Sequence, residues 1–407
     1  MIAKRYLGQV ALDLASGVLV QLTTLAAMLA IAWLGGLRET AYFTFALALC
    51  GPISLFAGMS LMELIFSGDE RYRNTLEIGL AQVLLFVMLA LVAGAGVALW
   101  NADYILVFAI IACAKLAELV STFCIHILRR EGRFRRLSVV GLLQFVVFCA
   151  AAALLHASGL FPVQVAFSLG VLCAAVFQAG VSLATLWPEF TSSDRASLHP
   201  LRFVRQHVMR SVAISVNSIQ SNLPRYGLEL LVSPVLQAAY SLLYTLSRLG
   251  TLVLQSLFVP IVARFRLAYA AHPLRAQIRA AAGFLAVSAL LTLLMAGAWI
   301  LGLQVPAIRA LGARLVDVIS VSDGVAILIA SGVYLFRFGV WQIVSLLDPG
   351  HAQTRTAIYG ALVTLIACLL LIPAHGVKGA AWGEAIGNLV LVAIPFAAWT
   401  IRRRTTP

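Results

Sequence analysis

The sequence predicts an all-α polytopic membrane protein of about twelve transmembrane helices, and three observations carry that prediction. First, hydrophobic residues make up 62% of the 407 positions, charged residues only 11%, and the mean hydropathy is +0.98. Soluble domains run about 45–50% apolar and about 25% charged. Second, about twelve apolar stretches approach the roughly 20 residues that a helix needs to cross a bilayer. Their connections are too short for a soluble catalytic domain, and they lack the apolar–polar alternation of an outer-membrane barrel. Third, Lys and Arg concentrate in alternate connections, as the positive-inside rule requires.

Taken in order, the first span (14–34) follows Lys4 and Arg5. It is too long for a signal-peptide core and has no small-residue cleavage site, so it reads as retained. Spans at 41–66, 77–100 and 104–128 follow, the third ending on Trp100 at the outer interface. The basic turn Arg129, Arg130, Arg133, Arg135 and Arg136 separates them from spans at 137–155 and 163–186, the latter closed by Trp187 on the inner side. A polar connection with Ser, Asp, Pro and Arg then divides the chain. The second set runs 209–232, 235–263, 278–301, 317–347, 356–373 and 379–399. The expected organisation is therefore residues 1–190 as one bundle, 191–208 as a cytoplasmic linker and 209–401 as a second bundle. Thr40-Ala41-Tyr42-Phe43 and Ala238-Ala239-Tyr240-Ser241 stand near the same place in each set, which suggests two parallel repeats.

With the N-terminus inside, 21 of the 29 Lys and Arg fall on the cytoplasmic side, four outside (Arg38, Arg309, Arg314, Lys378) and four within spans. Both termini are then cytoplasmic. The net charge of +13 is dispersed over short loops, which reads as topology and contact with membrane lipids rather than as a nucleic-acid surface. All six cysteines lie inside spans, where they serve as small apolar residues. The seven histidines form no metal cluster, and no Gly-rich phosphate loop supports an ATP-driven mechanism or a bound cofactor.

Charges at mid-depth cost at least about 2.5–3.5 kcal/mol and mark pathways or pairs. Arg248 and Arg337 lie mid-span with no acidic residue within a turn, and read as cavity lining. Arg225 follows Pro224, whose missing donor can kink the helix, and has Glu229 one turn on. The stretch before it carries Ser215, Asn217, Ser218, Gln220, Ser221 and Asn222, too polar for a lipid-facing helix, so this span borders water or substrate. Lys115 and Glu118, at i,i+3, read equally as a self-compensating pair or as part of a site. Glu384, with Asn388 one turn later, could exchange protons, and Glu118 and Glu384 are the candidates for coupling to H+ or Na+.

The stretch from Leu223 to Phe265 resembles the seventh and eighth spans of bacterial polysaccharide-unit (Wzx-type) flippases. These belong to the superfamily that also holds the multidrug and toxic-compound extruders. Pro224-Arg225-Tyr226, a small residue before Tyr240, and Pro260 with Arg264 carry the likeness, and Thr23 to Leu64 resembles the family's opening pair. The resemblance implies two six-helix bundles around a central cleft in a bacterial inner membrane. It implies translocation of an undecaprenyl-pyrophosphate-linked oligosaccharide for O-antigen, capsule or exopolysaccharide synthesis, with a polysaccharide polymerase and a chain-length regulator as further partners. On that reading the chain is a transporter and not an enzyme. Arg225, Arg248, Arg337 and Lys115 would hold the pyrophosphate, because Arg stays charged and binds phosphate oxygens in bidentate fashion. Asn217, Gln220 and Asn222 would meet the sugar. The rival readings are an ion-coupled small-molecule or multidrug antiporter of the same superfamily, and a membrane polysaccharide polymerase. The latter would normally need a large outer loop or a carboxylate cluster, and the sequence has neither.

Overall fold

The computed structural model describes residues 2–58, 75–130, 133–192, 200–247, 250–251, 254, 273–302, 318–347 and 351–405. Among these residues the chain is helical throughout, without a strand. The helices are α1 (Ile2–Leu34), α2 (Leu37–Gly58), α3 (Thr75–Trp100), α4 (Ile105–Arg130), α5 (Phe134–Ala157), α6 (Val163–Ser192), α7 (Pro200–Leu231), α8 (Pro234–Ser247), α9 (Pro273–Gly302), α10 (Val321–Leu347) and α11 (His351–Thr405). Among the described residues eight stretches are long and apolar enough to cross a membrane, and Val18–Leu34 is a shorter apolar one. The polar stretch predicted in the seventh span keeps α7 off that set, although it is 32 residues long.

Helix α8 begins on Pro234, a residue suited to a first helical position because its missing N–H would have had no helical acceptor. Helix α7 is described from Pro200, inside the stretch expected to be linker, and runs without interruption past Pro224.

Helix α11 is two antiparallel helices, residues 351–375 and 377–405, reversed at Gly376, whose φ of 54° lies in the left-handed region. The expected eleventh and twelfth spans are these two arms. Their register follows from the glycines. A side chain at Gly379 would meet the backbone of Leu371, one at Gly383 would meet Cys368, one at Gly387 would meet Thr364, and one at Gly360 would meet Leu391. Three glycines at four-residue spacing thus form a groove along one arm, into which the other lies at near-backbone contact.

By packing, the chain forms two compact units, Met1–Ser218 and Ile219–Pro407. In the first, α4 and α5 both pack on α6, α1 lies against α5 and α6, and α2 lies against α4 and α3. Its apolar contacts include Phe123, Cys124, Leu128 and Leu186 in one cluster and Ala57, Phe86 and Leu119 in another. In the second, α10 is central, packed against α9, α11 and α8, with Leu254, Ala276, Phe284 and Leu335 as its apolar cluster. The outward faces are apolar as well: Leu84, Met88, Leu91 and Val92 on α3 and Ile366, Leu369 and Leu370 on α11 are exposed. Such stripes fit lipid rather than water.

Candidate functional site

The polar interior of the second unit is built by α7, α8 and the C-terminal arm of α11. Glu384 sits on that arm, one residue after Gly383, with none of its surface exposed. Tyr240 and Tyr244, one turn apart on α8, reach it together. The Tyr240 hydroxyl donates to Oε2 at 2.8 Å and the Tyr244 hydroxyl to Oε1 at 2.8 Å. The two rings stack with centroids 5.4 Å apart. Neither tyrosine had been assigned a role from the sequence, although their i,i+4 spacing on a short helix puts both hydroxyls on one face.

Tyr244 has two further contacts. Its hydroxyl lies 3.2 Å from the carbonyl oxygen of Ser221 on α7. Its ring lies beneath Arg225, with the guanidinium carbon 4.7 Å from the centroid. Arg225 is half-buried, and donates through Nη1 to Asn222 Oδ1 at 3.1 Å and through Nη2 to Thr245 Oγ1 at 3.4 Å. Asn222 and Arg225, both predicted site residues, are thus joined in one network with Glu384 through Tyr244. Pro224, between them, offers no N–H to the carbonyl of Gln220, so the helix is short of one internal bond at this level.

Gln220 also belongs here. Its side chain faces Gly387, where an added methyl would stand 3.1 Å from Nε2. It is 1% exposed, and neither of its amide atoms has a hydrogen-bond partner among the described residues. The same holds for Nδ2 of Asn388, one helical turn beyond Glu384. Thr364 Oγ1 on the facing arm donates to the Gly360 carbonyl at 2.8 Å. Buried amides without partners cost roughly 1–3 kcal/mol each, so a polar guest is favoured beside them.

The other predicted residues fall elsewhere. Arg337 is on α10, 6% exposed, with its guanidinium 4.8 Å from the Tyr334 centroid. Nearby on the same helix, Ser331 Oγ is 2.5 Å from Ser247 Oγ of α8. Arg248 lies outside the described residues. Lys115, Glu118 and Asn217 belong to the first unit. There Lys115 Nζ donates to Glu118 Oε2 at 2.5 Å, with both side chains about one-fifth exposed (20% and 22%). One turn on, Ser121 Oγ donates to Gln178 Oε1 on α6 at 3.1 Å. Replacing Lys115 with Ala should leave the Glu118 carboxylate in apolar surroundings. The K115A/E118A pair should therefore be more stable than K115A alone in thermal melts of the detergent-solubilised protein, by about 1 kcal/mol.

Among the described residues no group of three or more His, Cys, Asp and Glu could hold a metal ion. The arrangement around Glu384 instead combines one carboxylate with neutral oxygens, a donor set for a proton or a monovalent cation.

No protein-family model matches the chain, and no curated protein matches it. Solved structures do. The outward-facing conformation of a multidrug resistance MATE family transporter of the MOP superfamily aligns with a TM-score of 0.65 at 14% identity, over 98% of this chain and 96% of that one. An inward-facing conformation described in the same words aligns at 0.64 and 15%, over 95% and 96%. A MOP superfamily transporter from Pyrococcus furiosus aligns at 0.55 and 12%, over 97% and 94%; its structure is described as having a reversed binding-pocket polarity that suggests a different function. At these identities the likeness shows the fold. The chain has the fold of the MATE transporters, with two helical units.

Proposed function

We propose that this chain is an ion-coupled membrane transporter for small molecules that carry a negative group, with Glu384 as the coupling carboxylate and Arg225 as the ligand for the anion. The observation that carries this reading is Glu384, a fully buried acid in an apolar bundle held by two hydroxyl donors. Intramembrane acids are rare, and they mark ion pathways. Gln220, Asn388 and Thr364 offer it neutral polar company, so a proton or a monovalent cation such as Na+ has a place beside it. The MATE fold supports a small-molecule transporter.

The sign of the substrate follows from the membrane-embedded cations. Arg225 is held by Asn222, Thr245 and the face of Tyr244, and Arg337 is buried against an aromatic ring. A drug cation would be repelled there, whereas a phosphate or carboxylate would be drawn in. This observation also favours a second reading, in which the anion is the pyrophosphate of a lipid-linked oligosaccharide and the chain is a flippase of surface-polysaccharide synthesis. The bias of Lys and Arg supports a plasma-membrane location with both termini cytoplasmic.

Reconstitution into proteoliposomes tests the proposal. Under an imposed proton or Na+ gradient, radiolabelled organic anions should move and cationic dyes should not. R225A should slow anion movement about tenfold, the effect of one charge-assisted hydrogen bond. A fluorescent lipid-pyrophosphate oligosaccharide separates the two readings, since only the flippase would change its leaflet. Gradient-insensitive transport, or transport of cations alone, would sink the proposal.

A further inference from the structure

Tyr244 makes three contacts that together join α8, α7 and the C-terminal arm of α11. Its hydroxyl donates to Glu384 at 2.8 Å, the same hydroxyl lies 3.2 Å from the Ser221 carbonyl, and its ring carries the Arg225 guanidinium at 4.7 Å. A phenol has one proton, so it serves one of the two acceptors at a time. While Glu384 is ionised, the carboxylate is the stronger acceptor and takes it. A protonated Glu384 has a hydroxyl of its own to place, and the tyrosine oxygens 2.8 Å away are acceptors within reach. When Glu384 donates to the Tyr244 oxygen, the Tyr244 proton turns to Ser221, in the turn of α7 that holds Asn222, Pro224 and Arg225. The same exchange alters the ring. A phenol that donates to a carboxylate is electron-rich and holds a cation over its face; one that accepts from a neutral acid and donates to an amide carbonyl holds it less.

We propose that Tyr244 is the positioning residue that links protonation of Glu384 to anion binding at Arg225. A proton on Glu384 slackens the hold of Tyr244 on the guanidinium and turns the guanidinium toward the anion, so that proton and anion bind together rather than displace one another. The inference rests on the reading of Arg225 as an anion ligand. It adds the sense of the coupling, that the two ligands travel as a pair. The helices packed around this carboxylate carry Tyr240 and Tyr244 on α8, Arg225 and Glu229 on α7, Cys368 on the facing arm of α11, and Tyr334 and Arg337 on α10 as their titratable and charged groups. Tyr240 and Tyr244 bond to Glu384, and Tyr244 also lies beneath Arg225.

The test is the affinity for inorganic pyrophosphate, measured calorimetrically on the full chain in lipid nanodiscs from acidic to neutral pH. Wild type, Y244F, Y240F and E384Q are compared. The titration of pyrophosphate itself is common to all four and cancels in their ratios. Wild type should tighten on acidification about tenfold more than E384Q, which has no proton to gain. Y240F removes the same kind of hydrogen bond from the same carboxylate but leaves the Tyr244 contacts with Ser221 and Arg225 in place, and it should keep most of that difference. Y244F retains the ring under Arg225, and should fall to the E384Q behaviour. A Y244F profile equal to wild type would overturn the link. So would wild-type and E384Q profiles that coincide, a comparison that stands even if Y244F does not fold. Either result would leave Arg225 as an anion ligand intact. No pyrophosphate binding by wild type at any pH would overturn that reading, and the link with it.

Discussion

Replacing Glu384 with Gln is expected to abolish uphill transport while leaving downhill exchange measurable. In proteoliposomes, accumulation under a proton or Na+ gradient should fall at least about tenfold, the lower range of coupling between two linked sites. The side chain keeps its size and one carbonyl acceptor, so one tyrosine retains its partner and the other must turn its hydroxyl to accept from the amide. Glu384→Ala goes further. It leaves the Tyr240 hydroxyl without its acceptor in a region with almost no exposure, while Tyr244 still has the Ser221 carbonyl at 3.2 Å. At about 1–3 kcal/mol for an orphaned group, the alanine variant should lose roughly 1–3 kcal/mol, enough to lower the yield of folded protein. Thermal melts of the detergent-solubilised variants would order them as wild type, then Gln, then Ala. If E384A were as stable as wild type and still coupled, the carboxylate would be neither structural anchor nor coupling group.

Gly387→Ala should destabilise the second unit by about 1–3 kcal/mol and disturb the ion site as well. The added methyl falls on Thr364 Oγ1 and stands 3.1 Å from Gln220 Nε2, so it strikes two side chains at once. Thr364 cannot move away without loss of its bond to the Gly360 carbonyl. Gly379→Ala should cost at least as much, because there the methyl meets the Leu371 backbone, which has no rotamer to change. Gly283→Ala and Gly297→Ala on α9 are the controls. Nothing lies within 4 Å of a side chain at either, and the gain in helix propensity makes them neutral or slightly stabilising. The four melts together separate the effect of contact from that of losing a glycine.

These two sites show what could be read in the sequence and what could not. Hydropathy placed the helices well, because a bilayer demands long apolar runs that leave a mark residue by residue. The reversal at Gly376 was also visible, as a break between two apolar runs. The repeat Gly379, Gly383, Gly387 was equally open to inspection, and its spacing is the signal that two arms pack at near-backbone distance. The face of each helix that turns inward was not legible. Lipid accepts apolar residues as readily as a protein core does, so Leu91 on α3 and Leu335 on α10 look alike in sequence, although one is exposed and the other buried. The bonds from Tyr240 and Tyr244 to Glu384 join residues 144 and 140 positions apart, which no local pattern encodes. Arg225 and Asn222 stand out in the sequence because charge and amide density are improbable in a span whatever the tertiary structure.

The hairpin of α11 has a consequence for biogenesis. Its arms meet in pairs from Leu371–Gly379 out to Gly360–Leu391, so these contacts close outward from the reversal. Such short-range closure is fast, and it needs no other helix to be present. These two spans can therefore leave the insertion machinery already zipped together. Glu384 then enters the membrane lying against its sister helix, and only afterwards meets the tyrosines of α8, which were synthesised long before.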